Sequence, residues 1–463
     1  MYGFWRLGTI PLPSAGATCW WNGLETKQSM KLKKTAMSPK TGTVHAMSSR
    51  WLIVADDLTG AADCAIAFAR RGRETAVTWG EVAEILDQEP AVLAYDAASR
   101  ALSAEAAAER HVALLRRLAG PDRLLFKKID STLRGQPAAA TAAALAHIRA
   151  ASAPALGVLA PAFPATGRTT IEGRVLLHGV PLEATELWSR DHSYASADLV
   201  DMLASSGLRG QELGLAAVRD ASLKSTLARL AGAGDVIAVC DAETDHDLQL
   251  IAKAGLNLSQ GTFFIGSAGL AHALAGIETG RDAAPLHTPL RASGTLVVVG
   301  SLAEASRIAA SSLAGTGKVV HVVVQPRTLL EPNGDGRKAL AIEVREHLSD
   351  GRDVLLEIAT SERLDLTIGA QLAHSLAATL QDVAPAIGAF AATGGETAAA
   401  ILARFGVHGI RLADEIEPGV ALGLTLGRLS VPIATKAGAF GDRHSLIRIC
   451  ERLRAVRTRG SFT

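Results

Sequence analysis

The sequence predicts an α/β fold of two domains with largely parallel sheets, with the active site in the cleft between them. The chain of 463 residues is longer than one ordinary core needs, so two or three domains are expected. Apolar residues make up 48% of the chain and aromatic residues only 4%, which is typical of Ala-rich helices packed on Val, Ile and Leu strands. From Trp51 onward, short apolar runs alternate with helical patterns, which indicates repeated strand–loop–helix units.

The first of these units form the predicted N-terminal domain, residues 47–280. Short apolar runs predict its strands at 51–55, 74–78, 91–95, 123–128, 156–160, 235–240 and 262–266. The segments between the runs have helical periodicity, which predicts helices at 61–71, 103–118, 137–150, 197–205, 221–231 and 245–255.

Residues 281–294 interrupt this alternation of predicted strands and helices. The stretch contains Pro285 and Pro289 and has no apolar periodicity, so it predicts a linker. The rhythm restarts in a predicted C-terminal domain, residues 295–463. Its strands are expected at 295–300, 319–324, 353–358, 387–392 and 431–435, and its helices near 303–314, 336–349, 362–381, 396–404 and 442–456.

The first 46 residues differ in composition from the rest of the chain. They contain three of the five Met and only one acidic residue, Glu25, and a further Met, Met47, follows at once. We interpret this stretch as a disordered or misassigned N-terminal extension, with the folded sequence beginning near Met47 or Met37. A basic transit peptide is the alternative interpretation.

Charge, hydropathy and cysteine spacing exclude several classes of protein. A net charge of +1 offers no general attraction to nucleic acid or to an acidic membrane surface. No apolar run approaches the roughly 18–20 residues that span a bilayer. The four cysteines are scattered without a CxxC pair, which is typical of a protein of the reducing cytoplasm, and no spacing predicts a metal site made by the protein alone.

Adjacent carboxylates end the first predicted strand. Asp56 and Asp57 follow the apolar run WLIVA, and Thr59, Gly60 and Asp63 come next. Part of this pattern is expected to cap the following helix, with Thr59 as the N-cap. Capping does not require two adjacent acids at the end of a buried strand. Asp56 and Asp57 are therefore the predicted catalytic residues, which would orient or deprotonate a substrate hydroxyl.

The motif KKIDSTLRG follows another predicted strand and supplies predicted substrate-binding residues. Lys127 and Lys128 point to opposite faces of an extended chain, so only Lys128 is assigned to the site, together with Asp130 and Ser131. Arg134 is predicted to lie in the first turn of the next helix, where the helix dipole disfavours a cation. Its planar guanidinium is therefore expected to bind the substrate carboxylate, and pairing with a nearby acid is the alternative.

A third loop, APAFPATGRTTIEGR at residues 160–174, adds a further cation. Its prolines and Gly167 stiffen the segment, and Arg168 is assigned to substrate binding. Cationic side chains at one sheet edge are typical of a site for a small anionic polyol.

The second half carries glycine-rich loops instead of a recognised nucleotide motif. It contains no GxxxxGK[ST] sequence, and no GxGxxG sequence follows a strand, which disfavours an NAD-dependent dehydrogenase. It does contain GSLAEAS at 300–306, TGGETAAAIL at 393–402, EPGVALG at 417–423 and KAGAFGD at 436–442. Glycines between an apolar strand and a helix allow backbone N–H groups to surround a phosphate.

Taken in order, these strings resemble the four-carbon acid sugar kinase family of ATP-dependent threonate, erythronate and 3-oxo-tetronate kinases. The resemblance runs from about Trp51 to the C-terminus and rests on DDLTGAAD, KKIDSTLRG, PATGRTTIEG, GSAGLAHAL, GSLAEAS, TGGETA and TKAGAFGD. It implies a sugar-acid-binding domain followed by a nucleotide-binding domain, with ATP and Mg²⁺ as cofactors. It further implies that ATP is held by Ser301, Gly394, Gly395, Glu396, Thr397 and Gly438.

Within the family, the sequences of the motifs KKIDST and GRTTIEGR are similar to those of D-threonate and D-erythronate kinases. The 3-oxo-tetronate kinases have a second loop without KKIDS, so a 3-oxo-tetronate kinase is the alternative. A sugar-acid sensor without enzymatic activity is the alternative from another class. The expected partners are therefore ATP and a small sugar acid, and a homodimer formed through an edge strand is left open.

Overall fold

The computed structural model describes residues 49–80, 89–152, 154–188, 194–256, 258, 261–301, 303–331, 334–359, 369–438 and 440–462. The extension predicted at residues 1–46 and the first part of the helix predicted at 362–381 lie outside these residues. Among the described helices, none combines the length and apolar character needed to cross a bilayer.

The N-terminal half alternates strands with helices. Its strands are β1 (Arg50–Ala55), β2 (Thr75–Trp79), β3 (Val92–Asp96), β4 (Arg123–Lys128), β5 (Leu156–Ala160), β6 (Arg168–Ile171), β7 (Arg174–Leu177), β8 (Val180–Pro181), β9 (Gly210–Leu213), β10 (Val236–Cys240) and β11 (Thr262–Gly266). Its helices are α1 (Leu58–Ala69), α2 (Ala104–Leu118), α3 (Pro137–Ala151), α4 (Leu199–Ala204), α5 (Leu215–Val218), α6 (Leu223–Gly232), α7 (Asp245–Gly255) and α8 (Ala268–Ile277).

The C-terminal half continues the alternation. Its strands are β12 (Thr295–Val299), β13 (Val320–Val324), β14 (Val354–Ile358), β15 (Ala389–Thr393), β16 (Val407–Glu417), β17 (Val420–Gly427) and β18 (Pro432–Lys436). Its helices are α9 (Glu304–Ala314), α10 (Pro326–Leu330), α11 (Asp335–Ser349), α12 (Gly369–Leu380), α13 (Gly395–Arg404) and α14 (Ser445–Arg459).

Fifteen of the described strands form one continuous sheet that crosses both halves. Its order is β13-β14-β12-β15-β18-β17-β16-β2-β3-β1-β4-β11-β5-β10-β9. Most strands of this sheet pair in parallel, as β1 does with β3 and β4 and as β12 does with β14 and β15. The prediction of an α/β fold with largely parallel strands is therefore confirmed.

The junction between the two halves is antiparallel, and the sequence analysis missed it. The long hairpin of β16 and β17 joins β18 on one side and β2 on the other. Residues 417–423, which were grouped with the phosphate-binding glycine loops, form the turn of this hairpin and the start of β17. Residues 160–174 also contain more than a loop, because β6 and the first residue of β7 lie in them.

Residues 281–294 contain no helix and no strand, and His287 forms an isolated bridge with Ser461. The domain boundaries stay a prediction, because the two halves share one sheet and the largest apolar cluster. The largest apolar cluster includes Trp51 and Phe264 from the first half together with Phe390 and Ile433 from the second. Helix α1 lies at its centre, where it packs against β3, β16 and α13.

The twist of the sheet explains how the carboxyl ends of β1 and β15 face a common region. The two strands are six steps apart in the sheet and run in opposite directions. A twist of about 20–25° per step turns the sheet by roughly 120–150° over that distance. A rotation of this size favours the approach of the two carboxyl ends, and Gly395 after β15 lies against Asp57 after β1.

A buried ion cluster at Asp353 ties the C-terminal helix to the sheet. Asp353 Oδ1 accepts hydrogen bonds from Thr295 N at 2.7 Å and from Arg457 Nη2 at 3.2 Å, and Oδ2 accepts one from Arg454 Nε at 3.0 Å. Burial by itself would raise the pKa of Asp353. The Thr295 N–H and the two arginines outweigh burial and hold this pKa below its usual value.

We expect Asp353→Ala to lower the free energy of unfolding by about 3 kcal/mol, because it leaves the buried Arg457 without its acidic partner. Asp350→Ala, at an exposed position three residues earlier, is the control and should change stability by less than about 0.5 kcal/mol. Urea unfolding measures both effects. Because the folded pKa is lowered, the contribution of Asp353 is present above its ordinary pKa and is lost as the pH falls through the folded value. If the free energy of unfolding of the wild-type protein exceeded that of Asp353→Ala by the same amount at pH 2, this assignment would be contradicted.

Candidate functional site

The first acidic motif surrounds the start of helix α1. The helix begins at Leu58, and Asp57 is its N-cap, because its Oδ1 accepts a hydrogen bond from Gly60 N at 3.0 Å. Thr59 Oγ1 donates to Asp57 Oδ2 at 2.6 Å. The prediction of Thr59 as the cap is therefore wrong, because the helix begins two residues earlier. Asp57 therefore caps the helix, and its catalytic role stays a prediction.

Arg100 joins the predicted carboxylates, and the sequence analysis missed it. Its Nε and Nη2 donate to the two oxygens of Asp56 at 2.7 and 3.0 Å, and Nη2 also donates to Asp57 Oδ1 at 2.9 Å. Asp130 Oδ2 lies 3.2 Å from the same nitrogen. Arg100 follows β3, the parallel neighbour of β1, so its position after a predicted strand was the available signal.

The environment of Asp56 disfavours a role as a base. Burial alone would raise the pKa of Asp56, but the charges of Arg100 and Lys128 outweigh it and hold this pKa far below its usual range. Asp56 also does not line the pocket that opens beside Asp57 and Asp130. Its contacts are those of a residue that positions Arg100.

Lys128 lies in this pocket, and Lys127 does not. The Lys128 Nζ atom lies 3.6 Å from Asp56 Oδ1 and 3.7 Å from Asp57 Oδ1. Lys127 Nζ instead donates to the carbonyl oxygens of Val54 and of Lys128 itself. Gly60 makes the Lys128 position accessible, because a Cβ atom there would lie 2.1 Å from Lys128 Nζ.

Arg134 differs from its prediction in both its position relative to helix α3 and its ion-pair partner. Helix α3 begins at Pro137, so Arg134 lies in the turn before it and not in its first helical turn. Its Nη2 donates to Asp130 Oδ2 at 2.7 Å, which is the alternative pairing with a nearby acid. The helix-dipole argument for a substrate anion at Arg134 was therefore wrong. Arg134 and Ser131 both line the pocket, so their predicted role in substrate binding stays a prediction.

Arg168 is the pocket cation without an acidic partner among the described residues. Its side chain is buried, its Nη1 donates to the carbonyl oxygen of Thr166 at 2.5 Å, and its Nε has no hydrogen-bond partner. Burial lowers the pKa of this guanidinium. A buried arginine without a counter-ion is a strong candidate to bind an anionic ligand.

The predicted nucleotide-binding residues lie together at the carboxyl ends of β12, β15 and β18. Ser301 follows β12, Gly394 follows β15 with a φ of 90°, and Gly438 follows β18. A Cβ atom at Gly438 would lie 2.1 Å from Ser301 Oγ, so the absence of a side chain allows these loops to touch. Thr397 is buried and faces Gly300, whereas Glu396 is exposed in the first turn of α13.

Lys436 is a further cation beside these loops that was quoted in a motif but not assigned. It ends β18, and its Nζ donates to the carbonyl oxygen of Ala437 at 3.2 Å and lies 3.4 Å from Ser306 Oγ. Burial lowers the pKa of Lys436 to about 8, with Glu417 acting in the opposite direction. A buried ammonium with no salt bridge to any described residue is a suitable partner for a phosphate group.

The glycine loop after β15 lies against the acidic motif after β1. A Cβ atom at Gly395 would lie 2.8 Å from Asp57 Oδ2 and 3.3 Å from the backbone N of Thr59. The predicted nucleotide loop and the predicted catalytic loop are thus in direct contact.

Phe440 closes the pocket beside Asp57 from the C-terminal half. The guanidinium carbon of Arg168 lies 4.9 Å from the centre of the Phe440 ring, and the Phe163 ring meets Phe440 edge-on at 6.3 Å. Both Arg168 and Phe440 also line a wider groove on the outer side. These two side chains therefore separate the inner pocket from that groove.

Two family models match successive parts of the chain. The first, described as a sugar-binding N-terminal domain, covers residues 51–274, and the second, a nucleotide-binding C-terminal domain, covers residues 296–446. Together the two models cover most of the chain, and each matches the half in which the corresponding loops lie.

Curated relatives and solved structures match over nearly the same length. A D-threonate kinase of Cupriavidus necator is 41% identical over 404 residues, which cover 86% of this chain and 96% of that protein. A D-erythronate kinase of Heliobacterium modesticaldum is 28% identical and covers 85% of this chain and 94% of its own. A crystal structure of a Haemophilus influenzae protein superposes with a TM-score of 0.66 at 20% identity, over 89% of this chain and 100% of that one. This last similarity supports the fold alone.

Proposed function

The chain belongs to the four-carbon acid sugar kinase family, and from that premise we propose that it transfers the γ-phosphoryl group of ATP to the terminal hydroxyl of D-threonate. The contact between Gly395 and Asp57 carries this proposal. A loop suited to phosphates and a pocket rich in charged side chains meet at that point. Transfer between two bound substrates requires such a meeting, because the reacting atoms must approach to about 3 Å.

The pocket beside Asp57 is proposed to bind the sugar acid. Arg168 supplies an uncompensated buried charge for the carboxylate, and Lys128, Asp130, Ser131 and Arg134 supply donors and acceptors for hydroxyl groups. Arg100 holds Asp56, Asp57 and Asp130 in place. Phosphoryl transfer depends mainly on such positioning and on charge stabilisation.

The glycine loops are proposed to hold the phosphates of ATP. Ser301, Gly394 to Thr397 and Gly438 surround a position at the start of α13, where backbone N–H groups and the helix dipole favour an anion. Lys436 adds a nearby ammonium. The described residues contain no group of three or more His, Cys, Asp or Glu placed to hold a metal ion. We therefore propose that Mg²⁺ arrives with the nucleotide, since Mg²⁺ usually keeps water and phosphate ligands beside one or two carboxylates.

The choice of D-threonate over D-erythronate depends on similarity, because the relative named D-threonate kinase is 41% identical and the one named D-erythronate kinase is 28% identical. D-Erythronate is the second candidate. The two acids differ in one stereocentre, so a pocket of fixed donors and acceptors should favour one of them.

ADP release with ATP, Mg²⁺ and one acid at a time tests the proposal. The panel is D-threonate, L-threonate, D-erythronate and a 3-oxo-tetronate, with ATP alone as the background. We expect D-threonate to give the highest kcat/KM and ³¹P NMR to locate the phosphate on O4. Calorimetric binding of an acid without ADP release would favour a sensor, and a preference for the 3-oxo acid would favour the alternative kinase.

A further inference from the structure

We propose that Asp63 is the general base that accepts the proton of the substrate hydroxyl. The inference rests on the proposed kinase function and adds a catalytic residue to it. It also replaces the earlier assignment of that role to Asp56 or Asp57.

Asp63 lies on the face of α1 that borders the sugar-acid pocket. Thr59 and Gly60 precede it by four and three residues, so the three residues share one side of the helix, and all of them line the pocket. The side chain of Asp63 is buried, with 6% of the residue exposed. Its Oδ1 atom has no hydrogen-bond partner among the residues that the structure describes. A buried carboxylate oxygen without a donor requires an explanation, and a hydroxyl of the bound substrate would supply one.

The other carboxylates of the site are already occupied. Asp57 accepts hydrogen bonds from Gly60 N, Thr59 Oγ1 and Arg100 Nη2, so its lone pairs are committed to capping and to an ion pair. Asp130 accepts hydrogen bonds from Thr132 N at 2.8 Å and from Arg134 at 2.7 Å, and Arg100 lies 3.2 Å away. Burial alone would raise the pKa of Asp130, but the charges of Arg134, Arg100 and Lys128 outweigh it and hold this pKa well below its usual value. The oxygens of Asp57 are already engaged by three donors.

The charges around Asp63 are balanced differently. The pKa of Asp63 is raised to about 7. Burial is the largest cause, the charge of Lys128 from β4 opposes it, Glu415 from β16 and Asp57 add to it, and Arg168 from β6 acts against it. The neighbouring Cys64 thiol remains neutral, because burial raises its pKa well above the usual value. A base whose pKa lies near the working pH is ionised often enough to act and still binds a proton firmly.

The step balances with the two substrates alone. The terminal oxygen of the acid forms a bond to the γ-phosphorus while the bond from that phosphorus to the β,γ-bridging oxygen breaks. ADP leaves with the electron pair of that bond. The hydroxyl proton passes to Asp63 and then to solvent, so the products are ADP, the phosphorylated acid and one proton.

The test is the pH dependence of kcat/KM for the preferred acid in the wild-type enzyme and in Asp63→Asn. We expect wild-type kcat/KM to fall about tenfold per pH unit below pH 7, because the base must be ionised. Asp63→Asn should lower kcat by roughly 10²-fold or more at pH 8 and should lose the acidic limb. Calorimetric affinities for ATP and for the acid should change less than about threefold.

Asp96→Asn is the matched control. Burial, followed by the charge of Asp57, also raises the pKa of Asp96 to about 7, but Asp96 does not line the pocket, and its Oδ1 already accepts a hydrogen bond from Ala98 N at 2.7 Å. The acidic limb should stay at the same pH in this variant. An acidic limb that disappears in Asp96→Asn but persists in Asp63→Asn would overturn the proposal.

Thermal unfolding provides a readout that does not depend on activity. Because the folded pKa of Asp63 is raised, the wild-type protein loses stability as the pH rises from the ordinary aspartate pKa through 7. Asp63→Asn avoids this cost and should unfold at a higher temperature than wild type at pH 8, with a smaller difference at pH 5. A folded Asp63→Asn protein with unchanged kcat would refute the role of Asp63 and leave the kinase function intact.

The wild-type profile alone also tests the inference, whatever the behaviour of the variants. Constant kcat/KM from pH 8 to pH 5 would overturn the role of Asp63. Absence of ADP release by the wild-type enzyme with every acid would overturn the kinase function, and this inference with it.

Discussion

Arg168→Ala is expected to lower kcat/KM for the sugar acid by about 10–100-fold, mainly by raising the KM for the acid. The buried guanidinium has no acidic partner among the described residues, so the carboxylate of the substrate would be its counter-ion. A charge-assisted hydrogen bond contributes about 1.5–3 kcal/mol, and each 1.4 kcal/mol corresponds to one factor of ten. Steady-state kinetics with each substrate varied in turn measures this effect. The KM for ATP should stay within about twofold.

Two further variants distinguish the loss of the Arg168 charge from a general disturbance of the structure around it. Arg168→Lys should recover part of the loss, because an ammonium keeps the charge but not the planar pair of donors. Arg174→Ala removes an exposed arginine from the adjacent strand that pairs with Glu183 and Asp198, and it should change neither KM. If Arg168→Ala raised the KM for ATP and left that for the acid unchanged, the assignment of the two halves would be reversed.

Gly395→Val is expected to reduce kcat by about 10²-fold and to raise the KM for ATP. The new Cβ atom would lie 2.8 Å from Asp57 Oδ2 and 3.3 Å from Thr59 N, so the glycine loop and the acidic loop must move apart. Separation of two reacting groups by about 1 Å can cost two factors of ten in rate. The same side chain would also hinder close approach of the backbone to a phosphate.

Gly232→Val is the control for this substitution. It lies at the end of α6 with open space around the added Cβ atom, so kcat and KM should both remain near the wild-type values. Circular dichroism of both variants establishes that the fold is retained. A folded Gly395→Val enzyme with wild-type kinetics would exclude this loop from the site.

The alternation of apolar runs and helical patterns was sufficient to predict most of the architecture. β1, β4 and β5 were predicted within one residue, because buried parallel strands are short uninterrupted apolar runs. The hairpin of β16 and β17 was missed, because no strand was predicted between 392 and 431 and residues 417–423 were grouped with the glycine-rich loops. The start of α1 was misplaced because Asp57 and Thr59 are both good N-caps, and only the backbone geometry distinguishes them.

The amino-acid sequence by itself determined the fold class, the family and the loops that form the site, because these depend on local periodicity and on motifs that are contiguous in the chain. The tertiary structure decided how the charges pair. Arg100 and Asp56, which form an ion pair, are 44 residues apart in the chain. The sequence allowed Arg134 to bind either a substrate anion or a nearby acid, and the structure places Asp130 beside it. The tertiary structure also decided which carboxylate of the pocket has an oxygen without a donor among the described residues, namely that of Asp63. Burial raises the pKa of Asp63, and Arg100, which is 43 residues from Asp57 in the chain, occupies an oxygen of Asp57, so both environments exist only in the folded protein.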